Sequence, residues 1–293
     1  MSRTIWLALT GSALARICTV LMLTITMLAI VGPAIAGWDA NEIDWQAIES
    51  GPDLSHWFGT DLIGRDLFAR CMLGARVSLS IAVVATTISM LIGIPWGALA
   101  GYIGGYTDHV MMRIVDTLYA LPFVLIVILL VVVFGRNPVL LFVGLGAVFW
   151  LDVARIVRGQ TLRVRQQPFI SAAQSLGAST SQIVWRHVIP NVSGPALVYA
   201  SLTIPGVILA ETFISFLGLG VQEPDTSWGV LISDGAQSME SAPWTLIFPA
   251  GLLGVTVWCC NMLGDRLRDQ VDQLSSRYNR RPAPGTIAGG TST

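Results

Sequence analysis

Residues 77–102 form a stretch of about 26 residues without a charge, enough for a helix to cross the roughly 30 Å hydrocarbon core of a bilayer. Similar runs recur along the chain. In lipid every backbone polar group must be paired within the protein, so uncharged runs of this length become helices. That one feature fixes the class as an all-α membrane protein. The apolar runs place six transmembrane helices, at residues 17–37, 77–102, 114–135, 137–151, 193–217 and 241–264. Ala34 to Ala36 looks like a leader cleavage site, but the preceding run is too long for a signal-peptide core, so it is read as a retained span. The fourth run is short and has to extend toward Arg155. Pro95, Pro122, Pro195, Pro205 and Pro249 fall inside the runs, either as ordinary kinks of a packed bundle or as hinges of a moving pore.

Charged residues make up 12% of the chain, against about 25% in a soluble domain, so their placement carries more than their sum. All 17 basic residues are Arg. Without Lys the chain can hold neither a Walker-type phosphate loop nor a Schiff-base nucleophile. His56, His109 and His187 lie far apart and form no metal-binding motif. Of the four cysteines, Cys18, Cys71, Cys259 and Cys260, the last two are adjacent, which suits a disulfide poorly. With both termini cytoplasmic, Arg3, Arg16, Arg113, Arg155, Arg158, Arg163, Arg165, Arg186 and the five Arg from Arg266 to Arg281 are inside. Only Arg65, Arg70, Arg76 and Arg136 are then outside, in loops that are otherwise acidic, and this asymmetry sets the orientation.

The most informative segment is the cytoplasmic loop 155–190. Pro168 suits the first position of a helix, and Phe169, Ile170, Ala172, Ala173 and Leu176 follow at helical spacing. Gly177 is placed to end that helix in the left-handed conformation. Ser179 and Gln182 form a capping-box pattern that opens a second helix through Ile183, Val184 and Trp185, and Pro190 marks the return to the membrane. Two readings fit these residues: a helix-turn-helix that offers small side chains to another protein, or an amphipathic helix lying on lipid headgroups.

The run FISAAQSLGASTSQIVWRHVIPN, residues 169–191, resembles the cytoplasmic signature of ABC-importer permeases. Ala172, Ala173, Gly177, Ile189 and Pro190 match it, and Ser171 stands where the family carries Glu. HWFGTDLIGRDLFARCMLGARVSLSI (56–81), AETFISFLGLGVQEPDTSWGVLISDGA (210–236), APWTLIFPAGLL (242–253) and NMLGDRLRDQVD (261–272) are similar to the peptide/nickel branch of that family. Within the branch they are most similar to C-type membrane subunits of oligopeptide permeases, and dipeptide, glutathione and nickel permeases share most of them.

The resemblance implies the type I importer permease fold and a pore subunit, not an enzyme, in a cell inner membrane. It implies alternating access driven by ATP and Mg on two partner ATPases, with no cofactor on this chain. A homologous second permease subunit and a periplasmic or lipid-anchored substrate-binding protein complete the set of partners. It divides the chain into an N-terminal span with its periplasmic loop (1–76), a permease core (77–272) and a disordered cytoplasmic tail (273–293). ATPase coupling is assigned to Ser171, Ala172, Ala173, Gln174, Gly177, Ala178, Ile183, Arg186 and His187. The pore or substrate path is assigned to Glu211, Phe213 and Ser215, and binding-protein contact to Asp61, Arg65, Asp66, Gln222 and Trp228.

Three of these assignments have rivals in the residues themselves. The stretch from Gly59 to Asp66 is equally a tight turn held by an Asp–Arg pair. Glu211 is costly within a span and fits a pore interface, substrate contact or the outer headgroup level. Trp150, Trp228, Trp244 and Trp258 read as interfacial anchors. A proton-coupled secondary transporter using Glu211 or Asp116 is the rival from another class, but the carboxylates form no paired relay and no second six-span half is present.

Overall fold

The computed structural model describes residues 10–134 and 138–279. Among these residues all regular structure is helical, and the only strand-like pairing is two isolated bridges, Ile43 with Arg65 and Thr60 with Asp66. Helix α1 (Ala13–Ile35) starts where the Ser12 side chain accepts the Ala15 amide. It buries Cys18, Ile25 and Ala29 and leaves Leu14, Ile17, Val20, Leu23 and Met27 exposed, as a helix facing lipid does. Helix α2 (Leu67–Ile103) is capped by the Asp66 carboxylate, which accepts the Ala69 amide at 2.7 Å. Its 37 residues make about 55 Å, well beyond the hydrocarbon thickness. It is the central column of the fold, packed most extensively against α5 (Pro138–Arg165).

Among the described residues four helical stretches are long and apolar enough to cross a membrane: α1, α2, Thr180–Phe216 and Trp244–Val271. A bent pair, α3 (Gly105–Tyr119) with α4 (Phe123–Phe134), makes a fifth if counted as one span. The protein is thus a multi-pass membrane protein. The expected third span is not one straight helix, because its two parts meet at 81°. Pro122 has no N–H to offer the carbonyl of Leu118, which instead accepts from Leu121 in a tight turn at 3.2 Å. The expected fourth span falls in α5, which continues through Asp152, Arg155 and Arg158 to Arg165.

Helix α6 (Pro168–Ser175) and the short α7 (Thr180–Ile183) form the helical element of the loop 155–190. A π turn over Val184–Val188 then joins α7 directly to α8 (Ile189–Phe216). The second helix of the loop is therefore the first turn of the fifth expected span and not a separate element. The amide of Ile189 reaches back five residues to Val184, and Pro190 has no amide of its own to continue the ordinary pattern. Helix α9 (Trp228–Gln237) lies between α8 and α10 (Trp244–Asn279). Helix α10 runs past Asp272, where the sequence places the start of the tail. Arg3, Gly135, Arg136, Asn137 and residues 280–293, all used in the sequence reading, lie outside the described residues.

Candidate functional site

The α6–α7 element is built from local signals. Pro168 occupies the first turn of α6, and Gln167 precedes it in extended conformation. Gly177 has φ +81°. Its amide donates to Gln174 O at 2.9 Å, and the Ala178 amide donates to Ala173 O at 3.1 Å, the paired bonds of a Schellman turn. Ser179 accepts the Gln182 amide while the Gln182 side chain accepts the Ser179 amide, so both halves of the capping box are present. The element has two faces. Ile170, Ile183, Val184 and Val188 are buried with Ala98, Tyr102 and Val157 and anchor it to α2 and α5. The Gln174 amide also donates to Tyr102 Oη at 3.1 Å. Ser171, Ala172, Gly177, Arg186 and the 88%-exposed Leu176 face outward, with Ala173, Ala178 and His187 at the edge. Ile183, expected on the contact face, is an anchor at 1% exposure and has no surface to offer a partner.

Glu211 is fully buried at the junction of α2, α8 and α9. Ser215 Oγ donates to its Oε1 at 2.7 Å and Ser78 Oγ to its Oε2 at 3.1 Å. Ser78 Oγ in turn accepts the Trp228 amide at 3.3 Å, and Ser227 Oγ donates to Ser215 Oγ at 3.3 Å. The carboxylate therefore ties the start of α9 to two long helices. Within this chain neither Glu211 nor Ser215 opens onto a path, while Phe213 is 48% exposed on the outer side of α8. Trp228 is enclosed too, its indole N–H donating to Cys71 O at 3.2 Å, so it is neither a surface contact nor an interfacial anchor. Trp150 is likewise buried, edge-on to Trp96. Both are covered by helices distant in sequence.

On the opposite side of the fold Asp61 holds Arg65 at 2.7 Å and Arg70 at 3.2 Å, so the Asp–Arg turn is present. Arg65 also reaches Glu223 at 2.8 Å, tying this loop to the one after α8. Asp66 is buried, occupied by its capping bond and by His56 at 2.9 Å, which removes it from any outer surface. Gln222 is exposed, its amide donating to Gly220 O at 3.2 Å. Sequence patterning missed Asp234, which lines a cavity of about 320 Å³ with Asp61, Arg65 and Glu223. Burial pushes the Asp234 carboxyl above its usual range. Arg65 opposes that shift, and Glu223 and Asp61 add to it.

A carboxyl whose pKa is raised by folding costs stability once the pH exceeds its unfolded value, because the folded state resists the ionised form. Asp234→Asn removes that cost. The variant is expected to melt above the parent at pH 7, with the gap closing as the pH falls toward about 4. A thermal-shift series across that range checks this, and a parent that melts higher at pH 7 defeats it.

Residues 93–277 match the family model described as "Binding-protein-dependent transport system inner membrane component". The chain is 51% identical over 255 residues to the oligopeptide transport system permease protein OppC of Escherichia coli strain K12, covering 86% of this chain and 84% of that one. It is 41% identical over 262 residues to the Bacillus subtilis OppC, covering 89% and 86% of the two chains. It is 40% identical over 268 residues to the dipeptide transport system permease protein DppC of the same organism, covering 91% and 84%. Among solved structures, a chain of the MetNI methionine ABC transporter in an inward-facing conformation superposes with TM-score 0.55 at 21% identity. That match covers 69% of this chain and 96% of that one, and it shows a shared fold.

Proposed function

The chain belongs to the family of binding-protein-dependent transport system inner membrane components, and on that premise we propose that it is a pore subunit of an ATP-driven oligopeptide importer. It is a transport subunit and not an enzyme. Hydrolysis of ATP with Mg lies on two partner ATPases, a second homologous permease completes the pore, and a substrate-binding protein delivers the peptide from outside. The chain crosses a cell inner membrane six times with both termini in the cytoplasm, an orientation supported by the Arg asymmetry. The three segments 1–76, 77–272 and 273–293 serve as external loop with its anchor, permease core and cytoplasmic tail. Asp61, Arg65 and Gln222 form the outer face toward the binding protein.

The observation that carries this reading is the two-faced cytoplasmic element. Its inner side is locked to α2 and α5 by Ile170 and Ile183, while Ser171, Ala172, Gly177 and Arg186 stand outward around the exposed Leu176. Such a surface lets another protein approach closely, and a push on it reaches the spans through α7 and α8. Alternating access follows from ATPase closure acting on this element.

Three measurements test the reading. Vesicles holding the assembled complex are expected to take up labelled oligopeptide only with ATP and binding protein, and uptake is expected to survive collapse of the proton gradient. Preference for dipeptides instead would favour the function for which the DppC relative is named. A cysteine placed at Ser179 is expected to resist impermeant thiol reagents added outside intact cells. Gly177→Val is expected to insert normally yet lose most transport, because a β-branched residue is strained at φ +81°. Parental transport by Gly177→Val defeats the coupling assignment.

A further inference from the structure

The break between α3 and α4 is more than a kink, because a cavity of about 490 Å³ lies beside it. Tyr119, Leu121, Pro122 and Phe123 line it from the break, and Phe149 and Asp152 from α5. The lining is apolar and aromatic apart from one half-buried carboxylate, Asp152, and the Tyr119 side chain. An ionisable group in such a position faces a cavity or a partner. Arg155, one turn further along α5, acts on Asp152 electrostatically but is already committed to Asp116 at 2.8 Å and lies 4.2 Å over the Tyr119 ring. One guanidinium thus serves two carboxylates. Helix α3 also ends here, and its C-terminal carbonyls add the negative pole of the helix dipole. The rings of Phe123 and Phe149, 6.3 Å apart, supply π faces and exclude water. Carboxylate, helix C-terminus and aromatic wall all favour the same ligand, an organic cation.

We propose that this cavity is a cation subsite on the substrate path, in which Asp152 receives the terminal ammonium of a peptide during its passage. The assignment rests on the importer reading given above and names a residue for it. A peptide moving through an apolar pore carries one obligatory positive charge at its amino end, and a single carboxylate in low dielectric stabilises that charge without holding the side chains. The site therefore serves peptides of different sequence.

The test uses the complete importer in vesicles, with binding protein, ATP and a labelled peptide, trapped during turnover and treated with a carbodiimide. The reagent activates carboxylates to form an amide with any amine in contact, and mass spectrometry of the digested complex locates the bond. The expected result is peptide joined through its α-amine to Asp152, dependent on ATP, with no adduct in Asp152→Asn. Asp152→Asn is also expected to import about tenfold more slowly at equal amounts of assembled complex, the scale of one lost charge-assisted hydrogen bond, and Asp152→Glu to recover most of that rate. A parent complex that imports peptide but gives no Asp152 adduct overturns the subsite alone. So does a bond from Asp152 to an amine of the second permease, or parental import by Asp152→Asn. If Asp152→Asn does not assemble, the adduct on the parent decides. A parent complex that imports no peptide overturns the importer reading, and the subsite with it.

Discussion

Gly97→Leu is expected to leave almost no assembled protein. A Cβ at this position would stand 2.9 Å from the Arg158 amide nitrogen and 2.9 Å from Val157 Cβ, so the side chain meets the backbone of α5 and not a movable tip. The same seam runs one turn to either side: a Cβ on Gly93 would lie 2.7 Å from Val153 Cβ and one on Gly101 2.8 Å from Thr161 Cβ. In lipid two helices gain nothing from hiding apolar surface from each other and depend on such close approach. Overpacking costs about 1–3 kcal/mol where side chains can yield, and more where they cannot. Forcing α2 from α5 also strains the forked Arg158–Asp108 pair, with both bonds at 2.6 Å, that holds α3 to α5. Size-exclusion of the detergent-solubilised complex measures the yield. Gly251→Leu is the control, since a Cβ there meets nothing within 4 Å, and equal yields for the two variants sink the argument.

Trp228→Ala is expected to cost about 3–5 kcal/mol and to free α9 from the bundle. The ring is fully buried and packs with Ile25, Ala29 and Ala75, so its loss leaves a cavity that no lipid or water fills well. The start of α9 is held through the same residue, by its amide on Ser78 and by its indole on Cys71. Trp228→Phe keeps most of the volume and is expected to lose only about 1 kcal/mol, that of one hydrogen bond. Limited proteolysis around residues 220–240 and thermal melting separate the cases. Equal protection of the Ala and Phe variants contradicts the role given to the ring.

What could be read from the chain follows how local each cause is. Pro168, Gly177, Ser179 and Gln182 act within four residues of themselves, and the structure has each where its chemistry puts it. The Gly93, Gly97, Gly101 spacing was equally present in the sequence, and its meaning depends on α5 arriving opposite. Ile183 and Trp228 carry no local mark of burial, since Val157 and Cys71, which cover them, come from other helices. Glu211 was marked as costly in a span, but its partner Ser78 is 133 residues away. Pro122 announced a kink without its angle, because the bend depends on where α5 leaves room. Asp152 looked like the trailing edge of a weak span until the break placed a cavity against it.

The uninterrupted course from Thr180 to Phe216 makes the α6–α7 element one end of a lever arm. Its 37 residues span about 55 Å, so a tilt of about 5° at the Ser179 end displaces the Glu211 end by several ångströms. Such a rod needs no relay of side-chain rearrangements to carry force across the bilayer. Pro195 and Pro205, each lacking a backbone donor, set where it yields, and stiffness between them sets how much of the stroke arrives.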